Sequence, residues 1–112
     1  MKILGKFDLQ SYDLSLRKLH FKHSQHFDIV DATEIKFLNT FYLEIPNYIE
    51  DCDIYVGDED DMKHVQSRNP DLNIIWKMQK VFVLNSFGVK YYVGASKVTI
   101  IKKDSSEEYT VT

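Results

Sequence analysis

Cysteine, alanine, proline, glycine and arginine are all scarce in this 112-residue chain, and each scarcity excludes something. A single cysteine, Cys52, rules out an intramolecular disulfide framework and leaves no CxxC or C2H2 zinc spacing. With four glycines there is no glycine-rich phosphate loop, and GxSxG and HExxH are also missing. Arginine occurs only at Arg17 and Arg68, although guanidinium is the preferred reader of phosphate and guanine. No run of 18 apolar residues exists to span a membrane, and the N-terminus turns polar too early for a signal peptide. The reading is a cytoplasmic chain forming one domain over 1–112, since domains average about 150 residues. Hydrophobic residues at 44% and charged residues at 28% are globular proportions. A domain of this size hides roughly two thirds of its unfolded surface.

What is abundant points to strands. Fifteen residues are aromatic and only two are alanine, and branched and ring side chains suit a pleated, half-buried surface. Alternation marks strands at 73–78, 81–84, 89–93 and 97–102. The turn Asn85-Ser86-Phe87-Gly88 is a hairpin signal, and Gly94-Ala95-Ser96 reads as a second short connection, giving a C-terminal antiparallel meander. Upstream, Ile35 and Phe37, then Phe41, Leu43 and Ile45, form two alternating stretches around Asn39-Thr40, with Pro46 closing the second. Cys52, Ile54 and Val56 share one strand face. The segment 14–22 fits either a bulged strand or a helix capped near Asp13.

One helix is expected at 58–68, with acids in its first turn, Arg68 in its last and Asn69-Pro70 as its stop. Only Met62 and Val65 offer it an apolar face, so it lies on the surface. The tail 104–112 is polar and expected to fray, with Tyr109 and Val111 able to pair as an edge strand. The fold class is mainly β (a β-rich α+β domain): an antiparallel sheet or small sandwich with one short helix.

Three constellations compete for function. His20, His23 and His26 are spaced as H-x2-H-x2-H, with Asp28 or Cys52 as a fourth ligand for zinc, nickel or copper. A strand would turn His23 away from the other two, and a helix would place His20 and His26 about 120° apart. Exposed histidines at a strand end are the plainer account, and no metal or other cofactor is expected. Asp51 to Gly57 departs from a calcium loop, with Tyr55 at a ligand position and the glycine one place late. Asp13, Asp28 and Asp31 near the histidines, or a nucleophilic Cys52, are poor catalytic sets, so an enzyme is not expected.

Charge is segregated behind a net of −3. Between Glu50 and Asp61 lie seven carboxylates and no cation, and from Leu72 to Lys103 six lysines and no acid. An acidic helix packed over a lysine-bearing sheet is the plain account. The functional one is an acidic surface made of Glu50, Asp51, Asp53, Tyr55, Asp58, Glu59, Asp60 and Asp61, with Tyr48 and Tyr55 as anchors for a basic protein partner. The alternative is a nucleic-acid face built from Lys77, Lys80, Lys90 and Tyr92 beside Trp76. An edge strand near 97–103 would permit a homodimer, or carry lysines to prevent one.

The segments Asp13-Leu14-Ser15-Leu16-Arg17-Lys18-Leu19-His20-Phe21, Tyr42-Leu43-Glu44-Ile45-Pro46 and Lys90-Tyr91-Tyr92-Val93-Gly94-Ala95-Ser96-Lys97-Val98 carry a pattern of their own. In it the chain resembles small bacterial β-rich proteins, some of them immunity-type proteins from toxin operons. That resemblance implies a compact, non-catalytic inhibitor that occludes a basic toxin or nucleic-acid-binding enzyme through an acidic surface. It assigns no residue a role.

Overall fold

Two backbone irregularities in the first strand decide how the sheet bends. The computed structural model describes residues 1–24, 32–70, 79–102 and 108–111, with side chains omitted for 108–110. Strand β1 (Lys2–Asp13) pairs its first half with β5 (Tyr48–Val56) and its second with β2 (Lys18–His23), both antiparallel. Register slips between Ile3 and Lys6 against β5, where Gly5 donates its N–H to the Asp51 carboxylate at 2.9 Å. It slips again between Leu9 and Ser11 against β2. Bulges of this kind bend a strand and raise its twist, so the sheet coils.

The remaining elements are β3 (Ala32–Leu38), β4 (Tyr42–Glu44), α1 (Glu59–Arg68), β6 (Lys80–Ser86), β7 (Val89–Ala95), β8 (Lys97–Lys102) and β9 (Glu108–Val111). Among the described residues they form one nine-stranded sheet in the order β4-β7-β6-β5-β1-β2-β3-β8-β9, with every pair antiparallel. Strand β4 resumes β3 after a corner at 39–41, and β8 resumes β7 after Ser96. The two kinked strands share a ladder across that corner, Leu38 facing Lys97 on one side and Tyr42 facing Gly94 on the other. Backbone bonds from Ser96 N–H to Leu38 O (2.9 Å) and Phe41 N–H to Gly94 O (2.8 Å) hold the bend.

The expected hairpin at 81–93 is present as β6–β7. Strand β8, however, pairs with β3 and β9 rather than with β7, so the meander stops there. The lone residue Ser96 is too short to reverse a chain, because even the tightest hairpin uses two residues, and it kinks the strand instead. Tyr109 and Val111 do pair, opposite Ile100 and Val98, so β8 is an interior strand and not an edge. The ambiguous segment resolves into a turn at 14–17 and the strand Lys18–His23, with the bulge on the partner strand β1. Asp13 builds that turn by accepting from the N–H groups of Ser15 (2.9 Å) and Leu16 (3.1 Å). The alternation at 73–78 lies outside the described residues.

Coiling brings the two halves of the sheet face to face around one core. Ile3, Phe7, Leu19, Phe21, Ile35, Phe37, Ile49, Cys52, Ile54, Phe82, Leu84, Val93, Val98 and Ile100 are all buried in it. Phe37 meets Phe82 edge-on at 5.9 Å, although their strands are not neighbours in the sheet. Complete burial of such side chains contributes about 1.5–3 kcal/mol each, which makes this cluster the main source of stability.

The expected helix docks on the opposite, outer face. Val65 is fully buried against Val81, Val83 and Tyr92, with Tyr42, Tyr55 and Met62 closing the contact. Asp58 is the N-cap: its carboxylate accepts the Asp61 N–H at 3.0 Å while the Asp61 carboxylate accepts the Asp58 N–H at 2.9 Å. Gly57 joins helix to sheet through a 2.7 Å bond to Val81 O. A Cβ there would lie 2.8 Å from the Asp61 Cβ and 3.0 Å from that carbonyl oxygen, so the close approach requires glycine.

Candidate functional site

The acidic segment is mostly used within the fold. Asp51 caps the Gly5 amide, and Asp53 pairs with the N-terminal ammonium at 3.1 Å. Asp58 caps α1, while Glu59 reaches Lys63 one turn on at 3.7 Å. Asp61 is buried beneath the helix, where it accepts from the Tyr92 hydroxyl and from Lys90 Nζ, both at 3.4 Å. Tyr55, expected as an exposed anchor, packs half-buried in the contact under α1. Among the described residues, only Glu50 and Asp60 of the seven carboxylates make no side-chain hydrogen bond or ion pair.

Among the described residues, Lys80, Lys90 and Tyr92 do not form an open stacking face. Tyr92 is buried under α1 with its ring stacked on His64 at 4.4 Å, so it presents no free surface to a base. Burial and the nearby Asp61 charge push its phenol upward in pKa. Asp61 likewise raises Lys90, whose ammonium is committed to that carboxylate. The acidic helix thus sits over a lysine-bearing strand, as the plain account of the charge pattern expected. Lys80 is half-buried at the start of β6, while Trp76, Lys77 and Lys103 lie outside the described residues.

Of the three histidines, the two that are described, His20 and His23, are separated. His20 Nε2 meets Glu34 Oε1 at 2.8 Å, whereas His23 is packed edge-on against Phe7 at 5.4 Å. Three residues apart on β2, they project from opposite sides of the strand. His26, Asp28 and Asp31 lie outside the described residues, and no group of three or more metal-ligating side chains converges among those described. Cys52 is buried in the core, where burial first and the Asp53 charge second push its thiol up to about 12. A thiol so protonated is no nucleophile at neutral pH.

A different feature stands out at the β6–β7 hairpin. Its two-residue loop is Phe87-Gly88, with φ of 52° and 81°, the left-handed pair of a type I′ turn. Asparagine or glycine normally occupies the first position; a bulky ring there is a backbone outlier. Phe87 gains little from packing, since 74% of it is exposed. The Asn85 side chain holds the turn by accepting the Gly88 N–H at 3.1 Å.

Beside Phe87 opens a groove of about 280 Å³ lined by Pro46, Tyr48, Glu50, Ser86, Val89 and Tyr91. Val89 and Tyr91 continue the inward-facing row of Val93, so the groove lies where the core's alternation runs out toward solvent. Tyr48 and Val89 are each about half exposed. Both walls are fixed to one another: Ser86 Oγ donates to Glu50 O at 2.6 Å and accepts the Glu50 N–H at 3.4 Å. Lys6, opposite Glu50 on β1, lays its ammonium over the Tyr48 ring at 4.5 Å.

The sequence reading placed Glu50 and Tyr48 at a contact surface but missed Phe87, Val89 and Tyr91. The available signal was a phenylalanine in a two-residue turn directly before glycine. No family model matches the chain, and no curated protein or solved structure matches it either.

Proposed function

We propose that this is a non-catalytic protein-binding module whose contact surface is the aromatic groove around Phe87. One observation carries the reading: a large apolar ring is kept exposed, in a backbone conformation that disfavours it, beside a preformed aromatic groove. Strained, unburied residues of this kind cluster at functional sites. Aromatic side chains in concave, partly desolvated settings dominate binding energy at interfaces. The surface is smaller than the whole acidic segment, because most of those carboxylates already satisfy groups of the fold. A basic partner, such as a toxin or nucleic-acid-binding enzyme held by an inhibitor, remains the chemistry that Glu50 and the exposed acids favour.

The test is affinity capture from the native cell extract with the wild-type chain, Phe87→Ser and the pair Glu59→Lys, Asp60→Lys. A partner retained by wild type and by the helix pair, but lost by Phe87→Ser, supports the groove. Loss with the helix pair alone would move the surface to α1. Asp58 and Asp61 are unsuitable for charge reversal, since both hold the helix cap and their loss would undock it.

A further inference from the structure

The turn that joins β1 to β2 carries two leucines into solvent: Leu14 is 79% exposed and Leu16 66%. Single exposed apolar residues are ordinary, but here two large ones crown one braced tip. Asp13 braces it, its carboxylate accepting from the Ser15 N–H (2.9 Å), the Ser15 hydroxyl (2.8 Å) and the Leu16 N–H (3.1 Å). The Arg17 carbonyl accepts the Thr40 N–H at 2.8 Å, which ties the tip to the corner at 39–41. None of these bonds uses a leucine side chain. We propose that this tip, with the basic sheet face beside it, docks on an anionic lipid bilayer, the two leucines entering the boundary between headgroups and acyl chains.

Charge complementarity decides the partner. Leu19, Phe37 and Val98 point into the core from β2, β3 and β8, so Lys18, Lys36 and Lys97 beside them stand on the outer face. Lys97 lies opposite Leu38, and Lys36 opposite His20. With Arg17 in the turn they make four cations near the tip, and none forms an ion pair among the described residues. Asp13, opposite Lys18 on β1, offsets one of these charges, while Glu34 is committed to His20 at 2.8 Å. The acids Glu59 and Asp60 lie across the core, on the helix that covers the outer face of β6 and β7, since Phe37 of β3 meets Phe82 of β6 in the interior. An anionic surface therefore meets the basic side with the acidic helix turned away. Nucleic acid would be met by rings that stack on bases or by guanidinium forks. This tip offers aliphatic carbon and ammonium point charges, the pairing that holds a peripheral protein in a bilayer surface. The Phe87 groove sits at the other end of β6 and β7, where Ser86 pairs with Val89, whereas Lys80 pairs with Ala95 beside the corner. A chain seated by its Leu14–Leu16 tip keeps that groove open to a protein partner.

The experiment is co-sedimentation of the full-length chain with vesicles of phosphatidylcholine alone and of a two-to-one mixture of phosphatidylcholine and phosphatidylglycerol. Binding to the mixed vesicles is expected, at least about tenfold tighter than to phosphatidylcholine alone and weakening as salt screens the charges. The pair Leu14→Ser, Leu16→Ser should weaken it at least about tenfold. The pair Lys36→Gln, Lys97→Gln should weaken it about twentyfold, at about fivefold for each cation near the surface. Lys63→Gln on α1 and Phe87→Ser at the groove should sediment as wild type does. Neither pair removes a side-chain hydrogen bond or ion pair of the described residues, so native circular dichroism spectra are expected. Binding that the leucine pair leaves unchanged would mark a bare polyanion site, of the kind nucleic acid also fills, and overturns the proposal. Equal binding to the two vesicle types, loss with Lys63→Gln but not with the sheet lysines, or no binding up to millimolar mixed lipid also overturns it. The Phe87→Ser capture experiment decides the groove separately, so either reading can fail alone.

Discussion

Replacing Phe87 with asparagine should leave the fold as stable as before, or slightly more so. A non-glycine residue in the left-handed region costs roughly 1–2 kcal/mol, and asparagine, which hydrogen-bonds locally there, relieves about half or more of that. Against this stands the packing lost with the ring. Phe87 is 74% exposed, so about a quarter of a full phenylalanine burial of 1.5–3 kcal/mol, or roughly 0.4–0.8 kcal/mol, disappears. The two terms leave a net change between about zero and +1 kcal/mol. Phe37→Ala is the matched control: Phe37 is wholly buried against Phe82, and its truncation should cost about 3–5 kcal/mol. Urea unfolding followed by circular dichroism separates these outcomes easily. If Phe87→Asn lost more than about 1 kcal/mol, the ring would be a structural anchor, and the argument that it is kept for binding would fail.

Other consequences of the structure are directly measurable. Asp61→Ala should destabilise by about 3 kcal/mol, from the lost reciprocal cap, a Tyr92 hydroxyl left buried without its acceptor, and a weak contribution from half-exposed Lys90. A loss below about 1 kcal/mol in thermal or urea melts would refute the role given to that network. Cys52, buried and pushed up to about 12, should resist iodoacetamide at pH 8 in the native state and react fully once unfolded; rapid native labelling would show an open core. The Asp58 carboxyl is held below its ordinary value of 3.8, chiefly by the Asp61 N–H it accepts. A depressed carboxyl stabilises fully above its unfolded value and loses that contribution as pH falls through the folded one. Helical ellipticity should therefore weaken below about pH 4, less steeply in Asp58→Ser, which keeps a neutral cap. An identical acid profile for the two proteins would contradict this.

Local chemistry in the sequence announced several elements and hid others. Helix α1 was readable because its first-turn acids, final arginine and Asn69-Pro70 stop all agree, and Met62 and Val65 mark the only face it can bury. The β6–β7 hairpin was readable from Gly88, and the inward phase of Cys52 and Ile54 from their alternation. Partner choice for β8 was not, since a kink at Ser96 and a reversal look alike until the distant strand β3 is in place. The acidic run misled for a related reason. Whether a carboxylate is free depends on what folds against it, and Asp51, Asp53 and Asp61 find their partners at the Gly5 amide, the N-terminus, Lys90 and Tyr92. Tyr92 and Tyr55 looked exposed for want of knowing which sheet face the helix covers. The groove combines residues from the β4–β5 connection, β5, β6, the hairpin loop and β7, so no window of sequence contains it.

The claim that the Phe87 groove is the contact surface is tested most directly by site-specific photocross-linking in the native cell. The photoreactive residue benzoylphenylalanine is placed at position 87 in one protein and at Lys63, exposed on α1, in another. A single discrete protein adduct from position 87, suppressed by excess unlabelled wild-type chain and not formed from position 63, is the predicted result. An adduct formed from position 63 and absent from position 87 would contradict it.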